Sequence, residues 1–200
     1  MAIKAIIWDM GGVLLRTEDY TLRDQLAAEL GVTREHLEKA VFSGDIGQQA
    51  QLGKISVAEL WEAVGQEYSL TAEELIRFDE LFWGGDVLDR TLIDRIRSLQ
   101  EKYHTGLLSN AWLDLRVVIT DRWKIDDAFD MMTISAEEGI MKPDARIYQI
   151  AAARANAAPS EVVFIDDFPH NIQGAEAIGM HGILFQSRGQ ILAALDTMLK

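Results

Sequence analysis

The chain falls into two stretches that differ in the spacing of their apolar residues. Between residues 19 and 88 the apolar residues recur at helical spacing, which predicts four helices: Tyr20 to Leu30, Thr33 to Val41, Ser56 to Tyr68 and Thr71 to Phe82. The last two begin with a hydroxyl residue three positions before a glutamate, an arrangement typical of a helix start. No strand-like run is apparent within this stretch.

In the rest of the chain, short apolar runs alternate with helical patterns. The predicted strands are Ile3 to Trp8, Gly106 to Leu108, Met131 to Ile134, Val162 to Ile165 and Gly182 to Phe185. Strands joined by helices form right-handed crossovers, so this order predicts a parallel sheet with helices on both faces. We predict an α/β fold with a Rossmann-like core over residues 1–16 and 89–200 and an inserted all-helical cap over residues 17–88.

Composition narrows the class of protein. The 200 residues are 48% hydrophobic and 26% charged, which is ordinary for a globular chain. The absence of cysteine excludes disulfides, thiolate metal sites and cysteine nucleophiles. Because we find no signal-peptide pattern and no run of about 18 apolar residues, we expect a cytoplasmic protein without membrane spans.

The chain is also strongly acidic, with a formal net charge of −13. This charge disfavours nucleic acid and anionic membranes as partners. We therefore expect a small-molecule substrate, and an anionic substrate would need a local cationic side chain. Nothing in the sequence predicts the oligomeric state.

Carboxylates follow two of the predicted strands. Asp9 comes directly after the first strand and is followed by Gly11 and Gly12, and Asp166 and Asp167 follow the strand that ends at residue 165. In an open parallel sheet, ligands bind at the carboxyl ends of the strands. We therefore expect the three acids to converge on one cation, and their hard oxygen ligands suit Mg²⁺.

Other side chains near predicted strand ends suit phosphate chemistry. A carboxylate can attack phosphorus, and we interpret Asp9 as the nucleophile. Lys142 would supply the cationic charge, and Ser109 and Asn110 would offer a hydroxyl and an amide at a predicted helix start. The backbone amides of the turn at Gly11 and Gly12 could approach phosphate oxygens closely.

Each of these residues also has a purely structural interpretation. Asp9 could form a turn, Ser109 and Asn110 could cap a helix, and Lys142 could be solvated surface. Adjacent acids at 166 and 167 repel each other unless a cation or hydrogen-bond donors offset them. The joint placement of all these residues at the ends of different strands favours a functional site.

Four short motifs follow one another along the chain. They are Trp8-Asp9-Met10-Gly11-Gly12-Val13-Leu14, Leu107-Leu108-Ser109-Asn110, Met141-Lys142-Pro143-Asp144, and Phe164-Ile165-Asp166-Asp167 with Asn171-Ile172-Gln173-Gly174-Ala175. In these motifs and their order, the chain resembles the haloacid dehalogenase-like (HAD) hydrolase superfamily. The helical-cap members of that superfamily have their cap after the first motif, where this chain has its helical stretch.

The resemblance implies a Mg²⁺-dependent phosphatase that acts on a small phosphorylated metabolite through an aspartyl phosphate on Asp9. It implies that Lys142 screens the nucleophile. The implied phosphate-binding residues are Gly11, Gly12, Ser109, Asn110 and Lys142. The implied metal ligands are Asp9, Asp166, Asp167 and the backbone carbonyl of Gly11.

One residue departs from the pattern of the family. Phosphatases of this superfamily usually have a second Asp two positions after the nucleophile, as general acid, and this chain has Gly11 there. General acid catalysis contributes roughly 10² to 10⁴ in rate. The chain in this respect resembles sugar-1-phosphate phosphatases with glycine at the same position, and we predict a preference for leaving groups of low pKa.

Two other functions remain possible from the sequence. A 2-haloacid dehalogenase also uses an Asp nucleophile, but the acids at 166 and 167 would oppose a carboxylate substrate. A catalytically weak binding or regulatory member of the fold is the other alternative, and Gly11 is the feature that supports it. The sequence does not identify the substrate or the cap residues that select it.

Overall fold

The computed structural model describes residues 2–199, and a five-stranded parallel sheet lies at its centre. The strands are β1 (Ala5–Trp8), β2 (Leu15–Thr17), β3 (Asp86–Leu88), β4 (His104–Ser109), β5 (Met131–Ile134), β6 (Val162–Asp166) and β7 (His181–Leu184). The central sheet has the order β5-β4-β1-β6-β7. The predicted parallel sheet is therefore confirmed.

The helices are, in chain order, α1 (Thr21–Glu29), α2 (Arg34–Glu38), α3 (Asp45–Gln51), α4 (Val57–Glu67), α5 (Ala72–Trp83), α6 (Arg90–Leu99), α7 (Leu115–Val117), α8 (Ser135–Glu138), α9 (Ala145–Arg154), α10 (Pro169–Ala177) and α11 (Arg188–Met198). π-helical turns at Lys39–Ser43 and Val118–Trp123 continue α2 and α7. Among residues 2–199, no helix combines the length and the apolar character that crossing a bilayer requires.

The central strand β1 shows why both faces of the sheet are covered. Ile6 and Trp8 belong to one hydrophobic cluster, together with residues of α6 and α11, and Ala5 and Ile7 belong to another, together with residues of α9 and α10. Successive side chains of a strand point to opposite faces, so the continuous apolar run of β1 serves two cores. This arrangement confirms the predicted α/β fold class.

The register of the sheet determines where the functional side chains lie. Trp8 of β1 pairs with Leu107 of β4 and with Ile165 of β6. The three strands are parallel, so the residues that follow these positions leave the sheet at the same edge. We call this the carboxyl edge.

Helices α1 to α5 lie between β2 and β3, and we call residues 21–83 the helical insertion. Ten buried residues form a hydrophobic cluster there, nine of them in the insertion and the tenth Trp112. The four predicted helices are present with shifted ends. The division of the chain into two domains stays a prediction.

Two elements next to or within the insertion were missed by the sequence analysis. Strands β2 and β3 form a two-stranded antiparallel ribbon, so the prediction that no strand interrupts residues 19–88 is wrong. Their pairing joins residues about 70 positions apart, which no local pattern reveals. Helix α3 is polar and contains Gly47, where an added Cβ would lie 2.5 Å from the carbonyl oxygen of Val41. Close packing against the preceding turn therefore explains why glycine occupies this helix.

Candidate active site

Three carboxylates meet at the carboxyl edge. Asp9 follows β1, Asp166 is the last residue of β6 and Asp167 comes next. One oxygen of each lies within 4.8 Å of the others, although Asp9 is 157 positions from Asp166 in the sequence. The structure thus brings together the three acids that the sequence analysis selected as metal ligands.

Lys142 lies between two of these acids and is only 2% exposed. Its Nζ is 2.9 Å from Oδ1 of Asp9 and 2.6 Å from Oδ2 of Asp166, and it donates to the carbonyl oxygen of Leu108 at 3.2 Å. Lys142 is therefore not solvated surface. Its ammonium group has all three of its hydrogen-bond donors engaged.

The charges around Lys142 do not balance, because three carboxylates face one ammonium group. Burial raises the pKa of Asp9 to about 8, and the charges of Asp166 and Asp167 add to this although Lys142 opposes it. Burial and the charge of Asp166 also raise the pKa of Asp167 to about 6. The site therefore favours a proton or a second cation.

Burial alone would lower the pKa of Lys142, but the charges of Asp9 and Asp166 outweigh it and raise that pKa above its ordinary value. Lys142 consequently stays charged at neutral pH. It cannot act as a general base there, and its role is electrostatic.

Asp167 has the environment expected of a metal ligand. Its Oδ1 is buried and has no hydrogen-bond partner among the described residues. An added Cβ on Gly12 would lie 2.1 Å from Oδ2 of Asp167, so the absence of a side chain at Gly12, whose φ is +76°, permits this approach. A buried carboxylate oxygen without a donor is costly unless a cation or water satisfies it. The donor set thus fits a hard divalent cation.

Ser109 and Asn110 lie at the same edge but differ in their contacts. The Asn110 side chain pairs with the main chain of Lys142, donating from Nδ2 at 3.0 Å and accepting at Oδ1 at 2.8 Å. Ser109 is 3% exposed, and its hydroxyl makes no hydrogen bond to the described residues. It stays available to a ligand, whereas Asn110 also holds Lys142 in place.

The expected helix start after Ser109 and Asn110 is wrong. Ser109 is the last residue of β4, and α7 begins only at Leu115 and has three residues. The intervening residues form a loop held by tertiary contacts, so α7 does not place its N-terminus at Ser109 and Asn110. The helix that begins beside the acids is α10, whose preceding residue Phe168 donates its backbone amide to Asp166.

Gly11 differs from Gly12 in having free space around it. An ideal Cβ on Gly11 would have no heavy atom within 4 Å, and its φ is not in the left-handed region. Glycine is thus required for close packing at position 12 but not at position 11.

Asn171 was quoted in the fourth motif, but the sequence analysis gave it no role. It is 3% exposed, and its Nδ2 lies 3.0 and 3.1 Å from the two oxygens of Asp166. The backbone amide of Phe168 also donates to Asp166, at 2.8 Å. These donors orient Asp166, and only the five-residue spacing between Asp166 and Asn171 could have suggested it.

The family of the protein follows from a comparison with known sequences. Residues 3–179 match the model of the haloacid dehalogenase-like hydrolase family. The chain belongs to this family. The resemblance inferred from the four motifs is therefore confirmed, and the protein is a HAD-like hydrolase.

Known relatives of this HAD-like chain include a phosphatase. The D-ribitol-5-phosphate phosphatase of Bacteroides thetaiotaomicron is 28% identical over 188 residues, which cover 88% of this chain and 89% of that protein. The bifunctional epoxide hydrolase 2 of Sus scrofa is 26% identical over 98% of this chain. This second match spans only 39% of the epoxide hydrolase, so the chain corresponds to one part of that longer protein.

A solved structure shares the fold. A HAD family enzyme from Bacteroides thetaiotaomicron, crystallised with magnesium and inorganic phosphate, superposes with a TM-score of 0.78. The match covers 94% of this chain and 96% of that one at 23% identity. At this identity the superposition establishes the fold alone, and it agrees with the parallel sheet and helices described above.

Proposed function

We propose that this HAD-like hydrolase is a Mg²⁺-dependent phosphatase that hydrolyses a small phosphorylated metabolite through an aspartyl phosphate on Asp9. The observation that supports it best is the meeting of Asp9, Asp166 and Asp167 within 4.8 Å around a buried lysine. The similarity to a D-ribitol-5-phosphate phosphatase favours phosphate monoesters as the substrate class.

The acidic site fits Mg²⁺, which we assign to Asp9, Asp166, Asp167 and the Gly11 carbonyl. When bound, the ion would neutralise phosphoryl oxygens and offset the repulsion between the acids and an anionic substrate. The orphaned Oδ1 of Asp167 is the observation that favours this assignment.

Asp9 would act as the nucleophile. Its Oδ1 accepts from Lys142 and, at 2.7 Å, from the backbone amide of Met10, whereas Oδ2 accepts no hydrogen bond from the described residues. An Asp9 oxygen would form a bond to phosphorus while the bond to the leaving oxygen breaks and that oxygen keeps the electron pair. Water would then hydrolyse the aspartyl phosphate and restore the carboxylate.

Lys142 and the β4 residues would hold the transferred group. Lys142 keeps Asp9 oriented and reduces its negative charge toward the approaching anion. The Ser109 hydroxyl, the second hydrogen of Asn110 Nδ2 and the amides of Gly11 and Gly12 would donate to phosphoryl oxygens.

The leaving oxygen would receive no proton from residue 11. With glycine there, the leaving group must depart as an anion or take a proton from water, and this favours groups of low pKa, such as an anomeric sugar oxygen or an acyl phosphate. The same glycine supports the alternative of a catalytically weak binding member. A 2-haloacid dehalogenase is disfavoured because Asp166 and Asp167 would repel a carboxylate substrate.

Hydrolysis of p-nitrophenyl phosphate with and without Mg²⁺ tests the proposal. We expect turnover that requires the metal, that is lost in Asp9→Asn and that needs more Mg²⁺ in Asp167→Asn, with the exposed Asp121→Asn as matched control. Absence of turnover against a panel of phosphorylated metabolites as well would favour the binding alternative. Halide release from a 2-haloacid without metal would favour the dehalogenase.

A further inference from the structure

The loop that leaves β4 contacts the helical insertion directly. We call residues 110–112 the β4 loop. Its last residue, Trp112, packs against three aromatic rings of the insertion, with ring centroids 6.1 Å from Phe42, 5.7 Å from Trp61 and 5.8 Å from Trp83. The segment that follows Ser109 is therefore held by side chains of the insertion.

A single buried hydroxyl makes a second link between the same parts. Ser135 is fully buried at the start of α8, and its Oγ accepts from the backbone amide of Ala111 at 3.0 Å. The same Oγ donates to the carbonyl oxygen of Gln51, in the insertion, at 2.6 Å. A serine hydroxyl has one proton and two acceptor positions, so both bonds can exist together.

The topology explains why Ser135 can reach both partners. Ser109 of β4 pairs with Ile134 of β5, so Ser135 leaves the sheet beside the β4 loop. The carbonyl oxygen of Ala111 lies 3.2 Å from the same Oγ and competes with Gln51 for its proton, but the Gln51 contact is shorter.

The insertion approaches α8 closely at one glycine. An added Cβ on Gly53 would lie 2.2 Å from the carbonyl oxygen of Ala136. Gly53, with a φ of +65°, thus allows the backbone after α3 to rest on the start of α8, which places the carbonyl of Gln51 over Ser135.

We propose that Ser135 is a positioning residue that couples the docking of the helical insertion to the geometry of the β4 loop. With the insertion docked, the carbonyl of Gln51 accepts the hydrogen bond of the Ser135 hydroxyl, so a lone pair of Oγ is directed at the amide of Ala111. The bond from Ala111 in turn holds Ser109 and Asn110 in place. Release of the insertion frees that hydroxyl to turn toward the carbonyl of Ala111 and loosens the loop. The inference rests on the proposed function in that Ser109 and Asn110 bind the phosphoryl group.

The first test is Ser135→Ala, compared with Thr133→Val. Thr133 is equally buried on β5, but its hydroxyl accepts a hydrogen bond from Arg154 of α9 and bonds neither to the insertion nor to the β4 loop. Displacement of positioned groups by about 1 Å costs up to roughly 100-fold in rate. For p-nitrophenyl phosphate we expect a fall of about tenfold or more in kcat in Ser135→Ala, a weaker inhibition constant for inorganic phosphate, and neither change in Thr133→Val. Values for Ser135→Ala within twofold of wild type would overturn the inference.

The second test leaves Ser135 and the core unchanged. Gly53→Ala should push the insertion off α8 and lower kcat in the same way. Gly31→Ala is its matched control, because Gly31 has a φ of +70° in the insertion but open space around it. Equal effects of the two substitutions on kcat would mean that backbone strain, not docking, is responsible, and would contradict the coupling.

Hydrogen exchange separates this inference from the proposed function. We expect the amide of Ala111 to exchange faster in Ser135→Ala and in Gly53→Ala than in the two controls, whether or not the protein hydrolyses phosphate. If the wild type shows no Mg²⁺-dependent turnover, the proposed phosphatase function is rejected and the coupling is not. Unchanged exchange at Ala111 in both variants would reject the coupling alone.

Discussion

The carboxyl edge and the helical insertion are stabilised by contacts of different range. At the edge, Lys142 bonds to Asp9 and Asp166, residues that lie on other elements and far away in the sequence. In the insertion, Ser56 and Glu59 satisfy each other across three positions to begin α4, and Thr71 and Glu74 do the same for α5. The chemistry therefore depends on the assembled sheet, whereas these helix starts are encoded locally.

The two regions also differ in how far their polar side chains are buried. Asp9, Lys142 and Asp166 are almost fully buried at the edge, so removal of one partner leaves an uncompensated charge. The capping residues of the insertion are exposed, and water can replace their contacts. Substitutions at the edge should thus have larger effects than substitutions at the helix starts.

The largest effect is expected from Lys142→Met. Without magnesium this substitution leaves Asp9 and Asp166 buried without their cation, and we expect the free energy of unfolding to fall by about 3–5 kcal/mol. With magnesium present we expect turnover to vanish, because Lys142 no longer reduces the charge of Asp9 toward an anionic substrate. Urea unfolding at neutral pH measures the stability, with the exposed Lys102→Met as control. Added Mg²⁺ should recover part of the stability, and a stability equal to that of wild type would contradict the assigned role of Lys142.

The next largest effect is expected from Gly11→Asp. Because a Cβ fits at this position, the new carboxyl group should reach the leaving oxygen as a general acid. We expect the rate for alkyl phosphates to rise up to roughly 100-fold, with little change for p-nitrophenyl phosphate. Turnover against a series of leaving groups measures this, and an equal change across the series would show that the loss of general acid catalysis is not what limits the wild type.

A smaller effect is expected from pH. The pKa of Asp9 is raised to about 8 and that of Asp167 to about 6, so protons compete with Mg²⁺ as the pH falls through these values. We expect the apparent Mg²⁺ affinity to fall on the order of tenfold to 100-fold between pH 8 and pH 6. Titration calorimetry at several pH values tests this, and Asp9→Asn should show a weaker dependence.

The same shifts predict how the stability of the metal-free protein varies with pH. The folded state binds the Asp9 proton more tightly than the unfolded chain, whose Asp has its ordinary pKa of 3.8. The stabilisation from this proton is fully present below that pKa and is lost as the pH rises to about 8. The difference in unfolding free energy between wild type and Asp9→Asn should therefore change in this window and level off above it.

The smallest effect is expected from Ser56→Ala in the insertion. This removes a capping box at an exposed helix start and should cost about 1 kcal/mol of stability without changing kcat. Thermal unfolding and p-nitrophenyl phosphate turnover measure the two quantities, with the exposed Ser98→Ala as control. A clear loss of kcat would show that the helix starts and the carboxyl edge are not independent.

Much of the fold could be predicted because its signals are local. The apolar runs of β1 and β6 and the capping boxes of α4 and α5 each lie within a few residues, and the structure has these elements close to the predicted positions. By contrast, the ribbon of β2 and β3 joins residues about 70 positions apart, so no window of sequence contained its cause. Helix α3 is short and mostly polar, so it has too little apolar periodicity to be recognised.

The sequence by itself determined the five strands of the central sheet, the helices between them and the acids that follow β1 and end β6. Only the tertiary structure decided that Lys142 is buried between Asp9 and Asp166, that Asn110 bonds to the main chain of Lys142, and that Ser135 joins the insertion to the β4 loop. The physical reason is that these contacts need the register of parallel strands and the docking of separate elements, which fix distances between residues far apart in the chain.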